Sequence, residues 1–177
     1  MYPYLRFATS LLRAGRQPPL PVGRVHVSIH RVRLTDIDVW GEMNNGRILT
    51  VFELGRVEMF RRHGFFGVMR RNGWAGTIAG ASVRYRRRMR LFDRLEMRSR
   101  ILGWDERFSY AEQSLWRGGE ATAHALFRMA VTDRDGMVPS ERFAAALGQS
   151  ASPGLPDWVL AWAEADALRP WPPMADA

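Results

Sequence analysis

The 177-residue sequence contains neither cysteine nor lysine. The absence of cysteine excludes disulfides, cysteine-ligated metal sites and a thiolate nucleophile. The four histidines, at positions 26, 30, 63 and 124, never reach a helical metal-ligand spacing with acidic partners, so no metal site is expected. No GxSxG motif occurs, and a serine-hydrolase route is therefore not expected either.

Long apolar runs are also absent, and because no stretch of about 18 apolar residues occurs, no membrane-spanning helix is predicted. In the opening MYPYLRFATSLLRAGRQ, Leu5, Ala8 and Leu12 stand at helical spacing, apart from Arg6 and Arg13. Arg6 interrupts what would be the apolar core of a signal peptide, which predicts a cytoplasmic protein. The segment has two interpretations: a helix lying on a membrane surface, or a short helix packed on the domain or on a neighbouring subunit.

Charge of one sign dominates the composition. The 26 basic residues, all of them arginine, exceed the 18 acidic residues and leave a net charge of +8. A positive field favours anionic ligands, which include nucleic acid, an anionic membrane and the phosphates of a nucleotide-like cofactor such as coenzyme A. Net charge alone does not distinguish among these ligands.

Apolar residues make up 46% of the chain, enough for one globular domain with a proper core. The prolines Pro18, Pro19 and Pro21 stop any helix that begins at the N-terminus. We therefore divide the sequence into three parts: an N-terminal arm (1–23), a domain (24–148) and a C-terminal helical extension (149–177). The helix of the extension, over residues 157–168, is expected to strap onto the domain.

Alternating patterns predict five strands in the domain. They cover residues 24–34, 78–92, 95–102, 108–116 and 121–131. In the first strand, aliphatic residues alternate with His26, Ser28 and His30, which predicts a half-exposed polar face that carries the histidines. The segment 64–73 is glycine-rich and predicts an exposed link. One helix followed by consecutive antiparallel strands predicts an α+β fold in which a single sheet covers the helix.

That helix is predicted over residues 46–63, with Asn44 and Asn45 as candidate caps. Its exposed side is predicted from residues that share one arc of the helical wheel: Arg47, Thr50, Glu58, Arg61 and Arg62. Glu53 and Arg56 fall on the apolar side, where a charge needs a partner. Either they pair with each other at i, i+3 spacing, or Glu53 is a second carboxylate of a functional site.

Asp36 and Asp38 end the first strand just before this helix. Two aspartates in that position readily form a strand-terminating Asx turn. Alternatively, Asp38 is a neighbour of the helix start. A carboxylate that faces free N–H groups and the positive end of a helix dipole suits attack on a carbonyl group.

The stretch from Asp36 to Phe60 resembles the 4-hydroxybenzoyl-CoA thioesterase-like branch of the hotdog-fold superfamily, in which D-x-D and G-H-x-N-N-A-x-Y-L precede a long helix. The matching residues are Asp36, Asp38, Gly41, Met43, Asn44, Asn45, Gly46 and Leu49. Glu42 and Ile48 stand where many relatives have His and Tyr. The runs YRRRMRLF and ILGWD are similar to runs in the thioesterase superfamily member 6-like group, and the resemblance covers residues 25–142.

This resemblance implies a hotdog fold, with an antiparallel sheet wrapped around one central helix, and acyl-CoA thioesterase activity in a homodimer or a dimer of dimers. Asp38 would be the nucleophile or general base. Asn45 would position the carbonyl or the water, and Glu42 would take the place of the missing histidine. Backbone N–H groups near Gly46 and Arg47 would hold the oxyanion. Coenzyme A would enter as part of the substrate, without a separate cofactor.

A row of arginines, Arg84, Arg86, Arg88 and Arg90, would point to one face of the second strand. In a thioesterase the natural anion for such a row is a phosphate of coenzyme A, which guanidinium groups bind in bidentate fashion. A solvated face is the alternative. Nucleic-acid binding is not expected, because Tyr85 lies on the opposite face and offers no stacking platform among the charges.

Two other functions stay open at this point. The first alternative is a non-catalytic hotdog protein that binds an acyl chain or lipid, and it follows from the replacement of the His and the Tyr. An arginine-rich binder of nucleic acid or of a membrane surface is the second. The three functions differ experimentally: hydrolysis requires Asp38, acyl binding does not, and electrostatic binding weakens with added salt.

Overall fold

The computed structural model describes residues 2–174. Met1 and residues 175–177, the outer ends of the predicted arm and extension, lie outside the described residues. The helices are α1 (Tyr4–Gly15), a 3-10 turn (Leu34–Asp36), α2 (Asn45–Arg62), α3 (Phe65–Asn72), α4 (Ser140–Ala146) and α5 (Asp157–Ala167). The strands are β1 (His26–Arg31), β2 (Ala75–Tyr85), β3 (Arg94–Trp104), β4 (Ser109–Arg117), β5 (Glu120–Asp133) and β6 (Gly136–Val138).

The strands form one antiparallel sheet in the order β1-β3-β4-β5-β2, and β6 pairs with β5. The long helix α2 packs on one face of this sheet. Its apolar residues, including Phe52 and Met59, join Leu95, Leu115 and Phe127 of the strands in the main core. The prediction of an α+β fold with one sheet covering a central helix is therefore confirmed.

Gly55 sets how closely α2 approaches the sheet. A Cβ atom at this position would lie 2.1 Å from Met97 Sδ and 3.3 Å from Ser28 Oγ. Any larger residue would force the Met97 side chain to move or the helix to shift away from β1 and β3.

The helix α1 packs along α2 beside the edge strand β1, so the interpretation as a helix packed on the domain is correct. It packs with polar residues inward: Arg6 and Ser10 are buried together with Ala14. Leu5 and Leu12 are 83% and 64% exposed. The apolar stripe thus faces outward, and its contact with a membrane surface stays a prediction. Within residues 2–174, no helix combines the length and the apolar character needed to cross a bilayer.

Strand β1 is inverted in the same way. His26, Ser28 and His30 are buried, whereas Val27 between them is 47% exposed. The prediction of a half-exposed face for the histidines is therefore wrong. The buried groups find polar neighbours instead: His26 Nε2 lies 3.5 Å from Glu58 Oε2, and His30 Nε2 lies 2.8 Å from Ser28 Oγ.

Glu58, which was predicted on the exposed side of α2, is buried together with Leu54. That prediction is wrong because α1 covers this side of the helix. Arg13 Nη2 lies 3.6 Å from Glu58 Oε1. Burial disfavours the charged carboxylate, but the adjacent His26 and Ser10 side chains outweigh this and lower the pKa of Glu58.

The segment 64–73 was predicted to be an exposed link. This prediction is wrong, because the segment contains α3. Gly64 and Gly73 flank this helix in the left-handed conformation, with φ of 78° and 67°, and Phe65 and Val68 are buried. The glycines therefore mark the ends of a short helix rather than a flexible segment.

The predicted strap formed by the C-terminal helix is confirmed. Val159 of α5 is buried against Leu102, Tyr110 and Leu126. Since Leu126 alternates with core residues along β5, this cluster lies on the face of the sheet opposite to α2.

Candidate active site

The loop between the 3-10 turn and α2 closes on itself and carries the predicted site residues. The Asn44 N–H donates to Asp36 O at 2.9 Å, and the Asp38 N–H donates to Glu42 O at 2.8 Å. A β-bridge between the residues that lie inside these pairs completes a short ladder. The ladder sets Asp36 beside the helix start and Asp38 one step further along, opposite Glu42.

Asp38 forms the Asx turn that the sequence allows. Its Oδ1 accepts hydrogen bonds from the Trp40 N–H at 2.9 Å and from the Glu42 N–H at 3.4 Å. Its Oδ2 accepts none from the residues described, and the side chain is half-buried. One carboxylate oxygen therefore fixes the loop, while the other is available for chemistry.

Asp36 is buried and fully engaged. Its two carboxylate oxygens accept from Arg6 Nη1 at 2.9 and 2.7 Å, and Oδ2 also accepts from the Arg33 N–H at 3.0 Å. These contacts tie α1 to the loop, so Asp36 acts as an anchor. Sequence reasoning missed the Arg6 partner because Arg6 lies on what looked like the polar, exposed side of an amphipathic helix.

The start of α2 is capped by Asn44, as predicted. Asn44 Oδ1 accepts hydrogen bonds from the Gly46 N–H at 2.9 Å and from the Arg47 N–H at 3.3 Å. These are the two N–H groups that the family resemblance assigned to the oxyanion, and in this structure the cap occupies both. The Asn45 N–H donates to no other residue of the described chain. It is therefore the free donor at this helix end.

A groove of about 210 Å³ lies at the helix start. Glu42, Met43, Asn45 and Ile48 line it on one side, and residues 85–89 line it on the other. Glu42 Oε1 lies 3.0 Å from Arg88 Nη1, so its charge is compensated by an arginine. Ile48, in place of the family's tyrosine, supplies an apolar wall without a hydroxyl group.

Strand β2 ends at Tyr85 and does not continue to residue 92 as predicted. Both the Arg86 N–H and the Arg87 N–H donate to Thr122 O, at 2.8 and 3.1 Å. Two successive donors on one carbonyl break the alternation of side chains. The prediction that four arginines share one strand face is therefore wrong.

The arginines divide between two places. Arg86 and Arg88 line the groove at the helix start. Arg84, which lies within β2, lines a separate cavity of about 380 Å³ together with His124 and Glu112. In that cavity His124 Nε2 lies 2.9 Å from Glu112 Oε1. The three arginines predicted as coenzyme A ligands are thus not assembled into one site.

Arg56 belongs to a buried polar network under α2. Its Nη1 donates to Gln113 Oε1 at 2.8 Å, and its guanidinium group lies 4.2 Å from the centre of the Phe127 ring. Burial lowers the pKa of Arg56 to about 10, against the opposing charge of Glu53. The predicted ion pair between Glu53 and Arg56 is not formed, since Gln113 takes the arginine. Sequence reasoning did not identify Gln113 as this partner. Glutamine carries no charge, so nothing in the residue pattern marks it as a buried polar group.

Glu53 instead lines a mainly apolar cavity of about 370 Å³ beside the C-terminal half of α2. The walls include Val57, Phe60, Phe65, Phe66, Met69, Trp74, Ile78, Met129, Val131 and Phe143. The Phe60 and Phe65 rings stack with centroids 4.7 Å apart. Burial, together with the charge and hydrogen bonding of Glu53, raises the pKa of Tyr2 to about 12. The cavity suits an apolar chain, with Glu53 and Arg56 as its charged groups.

Comparison with known proteins gives a consistent set of matches. A model of the family described as "Thioesterase-like superfamily" matches residues 32–163. Protein THEM6 of Xenopus laevis is 35% identical over 111 residues, which are 62% of this chain and 54% of that protein. Protein THEM6 of Danio rerio is 33% identical over 111 residues, 62% of this chain and 55% of that protein. The chain spans about half the length of these curated relatives.

Solved structures share the fold. YbaW, a probable thioesterase from Escherichia coli, matches with a TM-score of 0.65 and 22% identity over 71% of this chain and 98% of that chain. The DHNA-CoA thioesterase from Staphylococcus aureus matches with a TM-score of 0.61 and 17% identity over 81% of this chain and 92% of that chain. The expectation of a hotdog fold is confirmed by these matches.

Proposed function

The chain belongs to the thioesterase-like superfamily, and on this premise we propose that it hydrolyses an acyl-coenzyme A thioester to the free acid and coenzyme A. The half-buried Asp38 carboxylate carries the proposal. Its Oδ1 is fixed by two backbone N–H donors, while its Oδ2 accepts no hydrogen bond from residues 2–174. A carboxylate that is oriented through one oxygen can react through the other.

Two routes lead from this geometry to hydrolysis. In one, Asp38 Oδ2 adds to the thioester carbon, coenzyme A leaves as the thiolate, and water cleaves the resulting anhydride. In the other, Oδ2 takes a proton from a water that adds to the carbon. The carbon–sulfur bond then breaks, and the proton passes from Asp38 to the leaving sulfur of coenzyme A. Both routes make the carbonyl oxygen negative, and the Asn45 N–H at the positive end of α2 is the donor we assign to it. The exposed Asn45 side chain would position the carbonyl.

The aromatic cavity beside Glu53 is the place we assign to the acyl group. Asn45 and Glu53 are eight residues apart on α2, which corresponds to about 12 Å along the axis. The groove at the helix start, with Arg86 and Arg88, would take a phosphate of coenzyme A. Arg84 faces a different cavity and is left out of this assignment.

A second copy of the chain would complete the site. Strand β2 is an edge strand of 11 residues, and Ile78 and Tyr85 on it are both 42% exposed. Long exposed edges of this kind pair with another strand. Pairing of two copies through β2 would also close the aromatic cavity, because Ile78 lines it. We therefore propose a homodimer, with a dimer of dimers as its larger form.

Asp38→Asn tests the proposal with little disturbance, because the amide oxygen can still accept the two loop N–H bonds. We expect free-thiol release from a panel of short, long and aromatic acyl-coenzyme A substrates to fall at least about a hundredfold, the usual scale for loss of a catalytic base. Asp135→Asn is the matched control, since Asp135 is exposed and pairs only with its neighbour Arg134. It should leave turnover unchanged.

The alternative is a protein that binds acyl chains without hydrolysis. It is favoured by the use of Asp38 Oδ1 in the Asx turn and by the replacement of the family's His and Tyr by Glu42 and Ile48. Absence of turnover in both the wild type and Asp38→Asn, with acyl-coenzyme A still raising the unfolding temperature, would establish this alternative. A cytoplasmic location stays a prediction in either case.

A further inference from the structure

A polar cavity of about 190 Å³ lies between α1, β1 and the start of β3. It shares no lining residue with the groove at the helix start or with the aromatic cavity. Five arginines contribute to its wall: Arg6, Arg13, Arg31, Arg33 and Arg94. The proposed hydrolysis uses none of them.

The positive charge of this cavity exceeds the negative charge around it. Arg6 is neutralised by Asp36 at 2.7 Å, and Arg13 faces Glu58 at 3.6 Å. The other three arginines of the wall form no ion pair with a carboxylate of the described chain. Three positive charges are therefore left without a counter-charge.

Two of these arginines stand directly opposite each other. Arg31 and Arg94 are the last cross-strand pair of the β1–β3 ladder. Like charges in directly opposed positions destabilise a sheet. An anion held between them would turn this repulsion into attraction.

The cavity also contains a hydroxyl group that lacks a bond. Ser10 is 1% exposed, and its Oγ has no hydrogen-bond partner in the part of the chain that the structure describes. Buried hydroxyl groups are normally paired, because leaving one unpaired is costly. The Ser10 hydroxyl lies beside the Glu58 carboxylate, whose pKa it helps to lower, so a ligand would share this donor with Glu58.

We propose that this cavity binds a phosphate group, as free phosphate, a phosphomonoester or a phospholipid headgroup. The planar fork of each guanidinium group matches two phosphate oxygens, and the excess positive charge suits a dianion. A cavity of about 190 Å³ accommodates a phosphate group and its ester carbon. The site stands on its own residues and does not depend on the proposed hydrolysis.

Calorimetric titration of the full chain with inorganic phosphate and with glycerol 3-phosphate, at constant ionic strength in chloride, tests the site. We expect one phosphate per chain. Arg31→Gln and Arg94→Gln should each weaken binding by about tenfold or more, as expected for the loss of a charge-assisted hydrogen bond. Ser10→Ala should weaken it by a smaller factor. Arg134→Gln is the matched control, since Arg134 is exposed and pairs only with its neighbour Asp135.

Two further measurements complete the test: the thermal stability of the variants and their binding to lipid vesicles. Without phosphate, Arg94→Gln should not lower the unfolding temperature, because it removes a repulsion, so lost binding cannot be ascribed to unfolding. Co-sedimentation with phosphatidylcholine vesicles, with and without phosphatidic acid, separates the sources. Binding to phosphatidic acid vesicles alone, lost in Arg31→Gln, would assign a headgroup. Binding of no phosphate probe, or affinity unchanged in both arginine variants, would overturn the site.

Discussion

The two sides of α2 are equally buried but chemically opposite. On the side that faces the inner strands of the sheet, Phe52 and Met59 pack among apolar side chains. On the side that faces α1 and the edge strand β1, Glu58 packs against a polar layer formed by these two elements, with Arg6, Ser10, His26 and His30 among its buried members. The first side is stabilised by close packing of complementary apolar side chains. The second is stabilised by ion pairs and hydrogen bonds, and each of these is lost when either partner is removed.

The polar layer is also the less complete of the two regions. Three buried polar atoms in it, Ser10 Oγ, His26 Nε2 and Glu58 Oε1, have no hydrogen-bond partner within the residues described. Such atoms make a region sensitive to protons and ligands, whereas an apolar core responds to neither. We therefore expect substitutions in the apolar core to lower stability by a fixed amount, and substitutions in the polar layer to have effects that depend on pH and on the partner residue.

The largest effect is expected in the apolar core. Phe52→Ala removes a ring that is 0% exposed and meets the Phe127 ring edge to face at 5.9 Å. The free energy of unfolding should fall by about 3–5 kcal/mol, from lost burial and the cavity that remains. Urea denaturation at pH 7 measures this. Val27→Ala, on the exposed face of β1, is the control and should change it by no more than about 1 kcal/mol.

In the polar layer, Arg6→Met should cost about 3 kcal/mol by leaving the Asp36 carboxylate buried without its counter-charge. Adding Asp36→Asn removes that charge and keeps an acceptor for the Arg33 N–H. The double variant should therefore be more stable than the sum of the single effects by about 1 kcal/mol or more. Additive effects in the urea denaturation cycle would mean that pairing does not hold this layer together.

The same comparison explains what the sequence could predict. Period-two and helical patterns located α2 and five of the six strands described, all but the short β6, because packing against an apolar core selects apolar residues at fixed intervals. Those patterns mislead at β1 and α1, where the buried sets are His26, Ser28 and His30 or Arg6 and Ser10. A polar residue on a buried face is recognised only by its partner, which lies far away in the sequence.

The candidate site divides along the same line. The Asx turn of Asp38 and the cap by Asn44 are local. The sequence predicted the cap and allowed the turn as one of two interpretations of Asp38. Three other features depend on geometry that residue spacing does not contain. They are the hydrogen bonds of that cap with the Gly46 and Arg47 N–H groups, the end of β2 at Tyr85, and the contact of Arg56 with Gln113.

Acid should weaken the polar layer and leave the cost of Phe52→Ala unchanged. Burial lowers the pKa of His30 from 6.5 to about 4, with Glu58 opposing this shift and Arg6, Arg13 and His26 adding to it. Between these values the unfolded chain binds a proton that the folded chain does not, so stability falls as pH falls from about 6.5 towards 4. The loss from pH 7 to pH 5 should be about 2 kcal/mol. Glu58, whose pKa is also lowered, acts in the same direction at lower pH.

Urea denaturation of the wild type and of His30→Gln at pH 7 and pH 5 measures this contribution. The glutamine cannot titrate and can still hydrogen-bond to Ser28. Its stability should therefore fall less between the two pH values than that of the wild type, by about the amount assigned to His30. An equal fall in both proteins would show that the histidine does not couple folding to protons.

The smallest effect is expected on the outer face of α1, and it tests the orientation of the helix most directly. Leu12 is 64% exposed, whereas Ala14 is 1% exposed and packs against the polar layer. Leu12→Ser should therefore cost no more than about 0.5 kcal/mol, mainly from helix propensity. Ala14→Leu should cost about 1–3 kcal/mol by overpacking, although it makes the helix more apolar. Hydropathy alone predicts the reverse order, because Leu5, Ala8 and Leu12 form the apolar stripe. A larger loss of unfolding free energy in Leu12→Ser than in Ala14→Leu would place that stripe inward and remove the polar layer from the structure.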